Sequence, residues 1–69
     1  MAENKLRIAR IMSGKTQAQL SILSGVHYST VSRIERGMVK PSKKQGQQLA
    51  RALQVPADML FPEEKEDAK

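Results

Sequence analysis

Gly25 stops a helical pattern that opens at Thr16, and Val26 leads directly into a second periodic stretch ending at Glu35-Arg36-Gly37. Glycine enters the left-handed backbone region without a Cβ clash, so it closes one helix and turns the chain tightly into the next. Two short helices joined this way sit at roughly 90–120° to each other, and that corner constrains the fold more than any other feature. Cysteine is absent and His27 stands alone, which removes disulfides, thiolate chemistry and a zinc cage. The fold must therefore rest on packed helices.

The remaining punctuation predicts three further helices. Leu6, Ile8, Ala9, Ile11 and Met12 make an apolar pattern over Asn4 to Ser13, closed by Gly14. Thr16-x-x-Gln19 and Ser42-x-x-Gln45 have the form of capping boxes. Leu20 and Leu23, with small Ser21 and Ser24, are assigned to the inner side of the second helix, and Ile22, on the opposite side, to solvent. Met38-Val39-Lys40-Pro41 reads as a loop, since a residue before proline is pushed out of the α region. A fourth helix then carries Leu49, Ala50, Ala52 and Leu53 inward. Val55-Pro56 opens a short fifth one, Ala57 to Phe61, ended by Pro62.

A chain of 69 residues forms one domain and buries a small fraction of its surface, so its stability is marginal unless it dimerises. No stretch approaches the roughly 20 apolar residues of a membrane span, and the polar start Met1-Ala2-Glu3-Asn4-Lys5 lacks a signal-peptide core. A cytoplasmic location is the expectation. The net charge of +5 is unevenly spread, because four of the seven acids fall in the tail 63–69. The basic body 1–62 is read as the domain and suits a polyanion; the tail is read as disordered.

On a helical wheel advancing ~100° per residue, Tyr28, Ser29, Ser32, Arg33 and Arg36 fill one continuous arc, with Thr30, Val31 and Ile34 pointing the other way. The free face carries no acid. Arginine can donate two bonds to guanine, hydroxyls can meet several base edges, and an aromatic ring can touch a thymine methyl. The same arc on an isolated helix would be an ordinary solvated side; its place straight after the Gly25 turn favours a DNA-reading helix over about 28–36.

The run Thr16-Gln17-Ala18-Gln19-Leu20, Gly25-Val26, Ser29-Thr30-Val31-Ser32-Arg33-Ile34-Glu35-Arg36-Gly37 and Lys40-Pro41-Ser42 resembles the Cro and phage-repressor (Xre) family of helix-turn-helix domains, over about Leu6 to Phe61. The resemblance implies an all-α five-helix bundle of the lambda-repressor-like type whose third helix enters the major groove. It assigns base reading to Tyr28, Ser29, Ser32 and Arg33. Phosphate contacts fall to Gln17, Arg36 and Lys40, with backbone amides near Met38 and Val39. It also implies an ion pair between Arg10 and Glu35.

Some positions depart from the family pattern. Lys15 replaces an apolar residue, and His27 replaces the usual Ser or Thr cap of the third helix, leaving the imidazole to cap it or the cap weakened. A place beside phosphate is the favoured role for His27. Lys43 and Lys44 make the fourth helix start more polar than the family's, where Lys43 is a further backbone candidate.

By resemblance the chain acts as a homodimer on a palindromic site, with Val55 to Phe61 at the interface and Met59 and Phe61 as its apolar contacts; Phe61 closing the monomer core is the competing assignment. The sequence thus points to a transcriptional regulator that binds double-stranded DNA without cofactor, metal, membrane or small-molecule substrate. The rival is a protein-interaction module of the same fold, such as an antitoxin or coactivator subunit. An enzyme is disfavoured, because no acid stands beside His27 and the serines to orient a nucleophile-base pair.

Overall fold

The structure, a computed structural model, describes residues 4–62. Five helices follow in order: α1 Leu6–Met12, α2 Gln17–Ser24, α3 Tyr28–Glu35, α4 Lys43–Leu53 and α5 Ala57–Leu60. The described residues hold no strand, so the all-α reading stands. The charged tail 63–69 lies outside them.

Both capping boxes are formed. Thr16 Oγ1 accepts from Gln19 N at 3.0 Å while Gln19 Oε1 accepts from Thr16 N at 2.8 Å. Ser42 and Gln45 repeat the exchange at 3.1 and 3.0 Å. Each box satisfies amides that a helix start would otherwise leave bare. At the start of α1, Asn4 Oδ1 accepts from Leu6 N at 3.1 Å, so Asn4 stands outside the helix that the sequence pattern placed it in.

Gly25 has φ +80°, and its amide closes α2 on Ser21 O at 2.9 Å. The turn is then locked by side chains: Ser21 Oγ donates to Val26 O at 2.7 Å, and buried Ser24 Oγ accepts from Val26 N at 3.1 Å. At the other end of α3, Gly37 has φ +76°, and the amides of Gly37 and Met38 return to Ile34 O and Arg33 O at 3.0 and 2.9 Å. This is a Schellman cap. It uses the Met38 amide assigned above to phosphate, so of that pair only Val39 stays a candidate.

Leu6 from α1, Leu20 from α2, Val31 and Ile34 from α3, Leu49 and Leu53 from α4 and Leu60 from α5 converge on one core, joined by Val26 and Phe61. Packing runs α2 on α3, α2 on α4, α4 on α5 and α1 on α3. The chain's start is stitched across this assembly, since Lys5 N donates to Leu60 O at 2.9 Å and Asn4 Nδ2 to Ile34 O at 2.7 Å.

Two apolar assignments, Phe61 and Leu23, need correction. Phe61 is 4% exposed and belongs to the monomer core, so it offers no surface to a second copy, whereas Met59 is 59% exposed. Leu23 is 58% exposed because Ser24 takes the inward position on α2. On α1 only Leu6 is buried, with Ala9 half-buried; Ile8, Ile11 and Met12 face outward, since this short helix meets the bundle along one line.

Candidate nucleic-acid interface

The corner at Gly25 sets α3 against α2 and leaves its polar side open. Tyr28 is 51% exposed, Ser29 and Arg33 are exposed, and Ser32 is half-buried. On the opposite side Val31 and Ile34 are fully buried. The two-sided wheel is thus realised in the fold. Among the described residues the side chains of Tyr28, Ser32 and Arg33 make no hydrogen bond within the chain, so their polar groups stay available to an external partner.

Behind α3 lies the group that fixes its orientation. Arg10 on α1 donates Nε to Glu35 Oε2 at 2.6 Å and Nη2 to Oε1 at 3.1 Å, and its Nη1 reaches Lys15 O at 2.8 Å. The Glu35 side chain is 2% exposed, so the charge is held almost dry and needs this bidentate partner. The hydrogen bond to Glu35 pushes the Arg10 guanidinium pKa above its ordinary value, with burial opposing it. Three of the five guanidinium N–H groups are thereby engaged within the chain.

Gln17, the first residue of α2, joins the same carboxylate: its Nε2 donates to Glu35 Oε1 at 3.0 Å. Sequence reasoning missed this contact, because positions 17 and 35 come together only when the two helices meet at their corner. Gln17 and Thr16 also line a shallow cleft with Arg10, Lys15 and Tyr28, so the start of α2 and the start of α3 border one surface.

His27 caps α3 through its ring: Nδ1 accepts from Ser29 N at 3.1 Å and lies 2.9 Å from Ser29 Oγ. Arg36 and Lys40 are exposed beyond the C-terminal end of α3, and Lys43 and Lys44 are exposed in the first turn of α4. Among the described residues no three His, Cys, Asp or Glu side chains gather to hold a metal, and no helix is long and apolar enough to cross a membrane.

A helix-turn-helix family model matches residues 6–60, which span all five helices. Comparison with curated proteins finds no match. Among solved structures the chain is similar to one described as a hypothetical transcription factor, NHTF, from Neisseria. The two share 27% identity at a TM-score of 0.74, over 93% of this chain and 74% of that one. With the family's model matched from α1 to α5, the chain belongs to the Cro and phage-repressor (Xre) family of DNA-binding helix-turn-helix proteins.

Proposed function

We propose that the chain is a sequence-specific transcriptional regulator, of the repressor or controller kind, that sets α3 in the major groove of duplex DNA without cofactor or catalysis. The observation that carries this reading is the acid-free exposed side of α3, Tyr28, Ser29, Ser32 and Arg33, anchored from behind by the Arg10–Glu35 pair. Arg33 suits guanine, and Tyr28 offers a ring to a thymine methyl. Arg36, Lys40, Lys43 and the Val39 amide flank that side and supply backbone contacts that set register and carry the salt-sensitive part of affinity.

Gln17 has a double part here: its amide is held by Glu35, and its place at the start of α2 keeps it at the edge of the same surface. A homodimer joined near Met59 would give a palindromic operator with half-sites about one helical turn, roughly 34–36 Å, apart. A cytoplasmic site of action accords with this role.

Selection of bound sequences from random duplexes, repeated at two salt concentrations, tests the reading. A palindromic consensus is expected at both. Sequence-blind binding that falls steeply with salt would leave only a basic surface.

One observation favours a second reading as a protein-interaction module. Ile8, Ile11, Met12, Ile22 and Leu23 are all exposed on α1 and α2, and the last two line a groove with Gly14 and Lys15. A chain that selected no consensus while losing a protein partner on Ile22→Lys would support that alternative.

A further inference from the structure

The cap of α3 holds a reading residue in one hydrogen-bonding polarity. Ser29 N is an obligate donor and lies 3.1 Å from His27 Nδ1, so Nδ1 carries no proton and the neutral ring keeps its proton on Nε2. Ser29 Oγ lies 2.9 Å from that same unprotonated nitrogen. Nitrogen without a proton can only accept, so the hydroxyl hydrogen points at His27. Ser29 is exposed, and what it presents outward is its lone pairs alone.

Serine is ordinarily an ambiguous reader, because its hydroxyl rotates to donate to one base and accept from another. Here the rotation is taken up by the cap. We infer that His27 makes Ser29 an acceptor-only reader, which recognises an exocyclic amino group, adenine N6 or cytosine N4, at one position of each half-site. Guanine O6 and N7 and thymine O4 are acceptors and would face a lone pair. His27 is thus a positioning residue for specificity, and its Nε2–H remains as a donor for a neighbouring phosphate. The inference rests on the DNA-reading role of α3.

The substitution of His27 by an ordinary cap carries the distinction. A seryl or asparaginyl cap serves the amide of the first turn equally well, so capping alone gives no reason for the ring to contact the hydroxyl. The ring adds a flat acceptor with a single lone pair that both Ser29 donors share.

The test uses base analogues on the selected operator. The position read by Ser29 is the one whose preference disappears in Ser29→Ala. There, deleting the amino group, with purine for adenine or 2-pyrimidinone for cytosine, should weaken wild-type binding roughly 3–10-fold, as for one neutral hydrogen bond, and leave Ser29→Ala unaffected. His27→Gly keeps a tolerable cap and frees the hydroxyl, so the same deletion should cost it about twofold or less, whatever its overall affinity. The imidazole nitrogen shifts of neutral His27, read by NMR in the absence of DNA, should report the Nε2–H form.

An Nδ1–H tautomer, or a wild-type loss on removing a base acceptor (7-deazapurine, or 5-methyl-2-pyrimidinone for thymine) in place of the amine, would overturn the inference while leaving the DNA-reading role intact. Failure of the wild-type chain to select any consensus would instead bring down that role and the inference with it.

Discussion

Arg10 grips Glu35 through two parallel hydrogen bonds, at 2.6 and 3.1 Å, and so links the first helix of the bundle to the last turn of α3. Removing one partner would strand a nearly dry charge, which costs about 3–5 kcal/mol, whereas replacing both with apolar groups can be neutral. Total stability for a chain of this size is of the order of 3–10 kcal/mol. Arg10→Met should therefore leave the protein largely unfolded or close to it, and the Arg10→Met, Glu35→Leu double variant should regain much of the loss. Urea unfolding followed by circular dichroism measures both.

On the proposed function, substitutions of Arg33 and Lys40 should separate the two contributions to DNA binding. Arg33→Ala should cost about 1–3 kcal/mol and relax one position of the selected consensus. Lys40→Ala should weaken all sequences alike and shallow the salt dependence by about 0.9 in the log–log slope if it meets one phosphate. Fluorescence anisotropy across a salt series distinguishes the two, and a Lys40 variant with altered base preference would contradict the assignment.

Met59 and Phe61 stand two residues apart with opposite surroundings. Phe61→Ala should destabilise the monomer by about 3–5 kcal/mol, since it opens a cavity in the core. Met59→Glu should leave thermal unfolding of the monomer within about 0.5 kcal/mol and act on assembly instead. Sedimentation velocity with and without operator reads the difference; unchanged dimerisation in Met59→Glu would place the interface elsewhere.

Gln54 and Gly37 both occupy the left-handed region, at φ +61° and +76°. Gln54→Gly should gain roughly 0.5–1 kcal/mol, because the side chain there pays a backbone cost that glycine does not. Gly37→Ala meets open space, so its loss of about 1–2 kcal/mol should be wholly conformational. Thermal melts of the two variants should move in opposite directions.

The local signals in this chain were the readable ones. Thr16-Gln19, Ser42-Gln45 and the glycines at 14, 25 and 37 act within a few residues, and their caps and turns appear in the structure as the pattern implied. What could not be read depends on how many neighbours a helix has. The apolar side of α1 looks core-like in isolation, but with α3 along one line only Leu6 is covered, and Ile8, Ile11 and Met12 remain outside. The third donor on Glu35 escaped for a similar reason. Periodicity sees a glutamine at a helix start, and only the corner between α2 and α3 brings it to the carboxylate. Phe61, beside a helix of four residues, had no period to place it.

The same carboxylate has a consequence for how such a protein can change. The groups that hold α3 in place, Arg10, Gln17, Glu35, Val31 and Ile34, share no side chain with Tyr28, Ser32 and Arg33, which project from its other side. The frame, which draws on α1 and α2 as well as α3, and the side chains that α3 presents outward are separate sets of residues. Rewriting those three positions should give new operators at almost no cost in folding, with only Ser29 tied to its neighbour His27 and needing to be exchanged together with it.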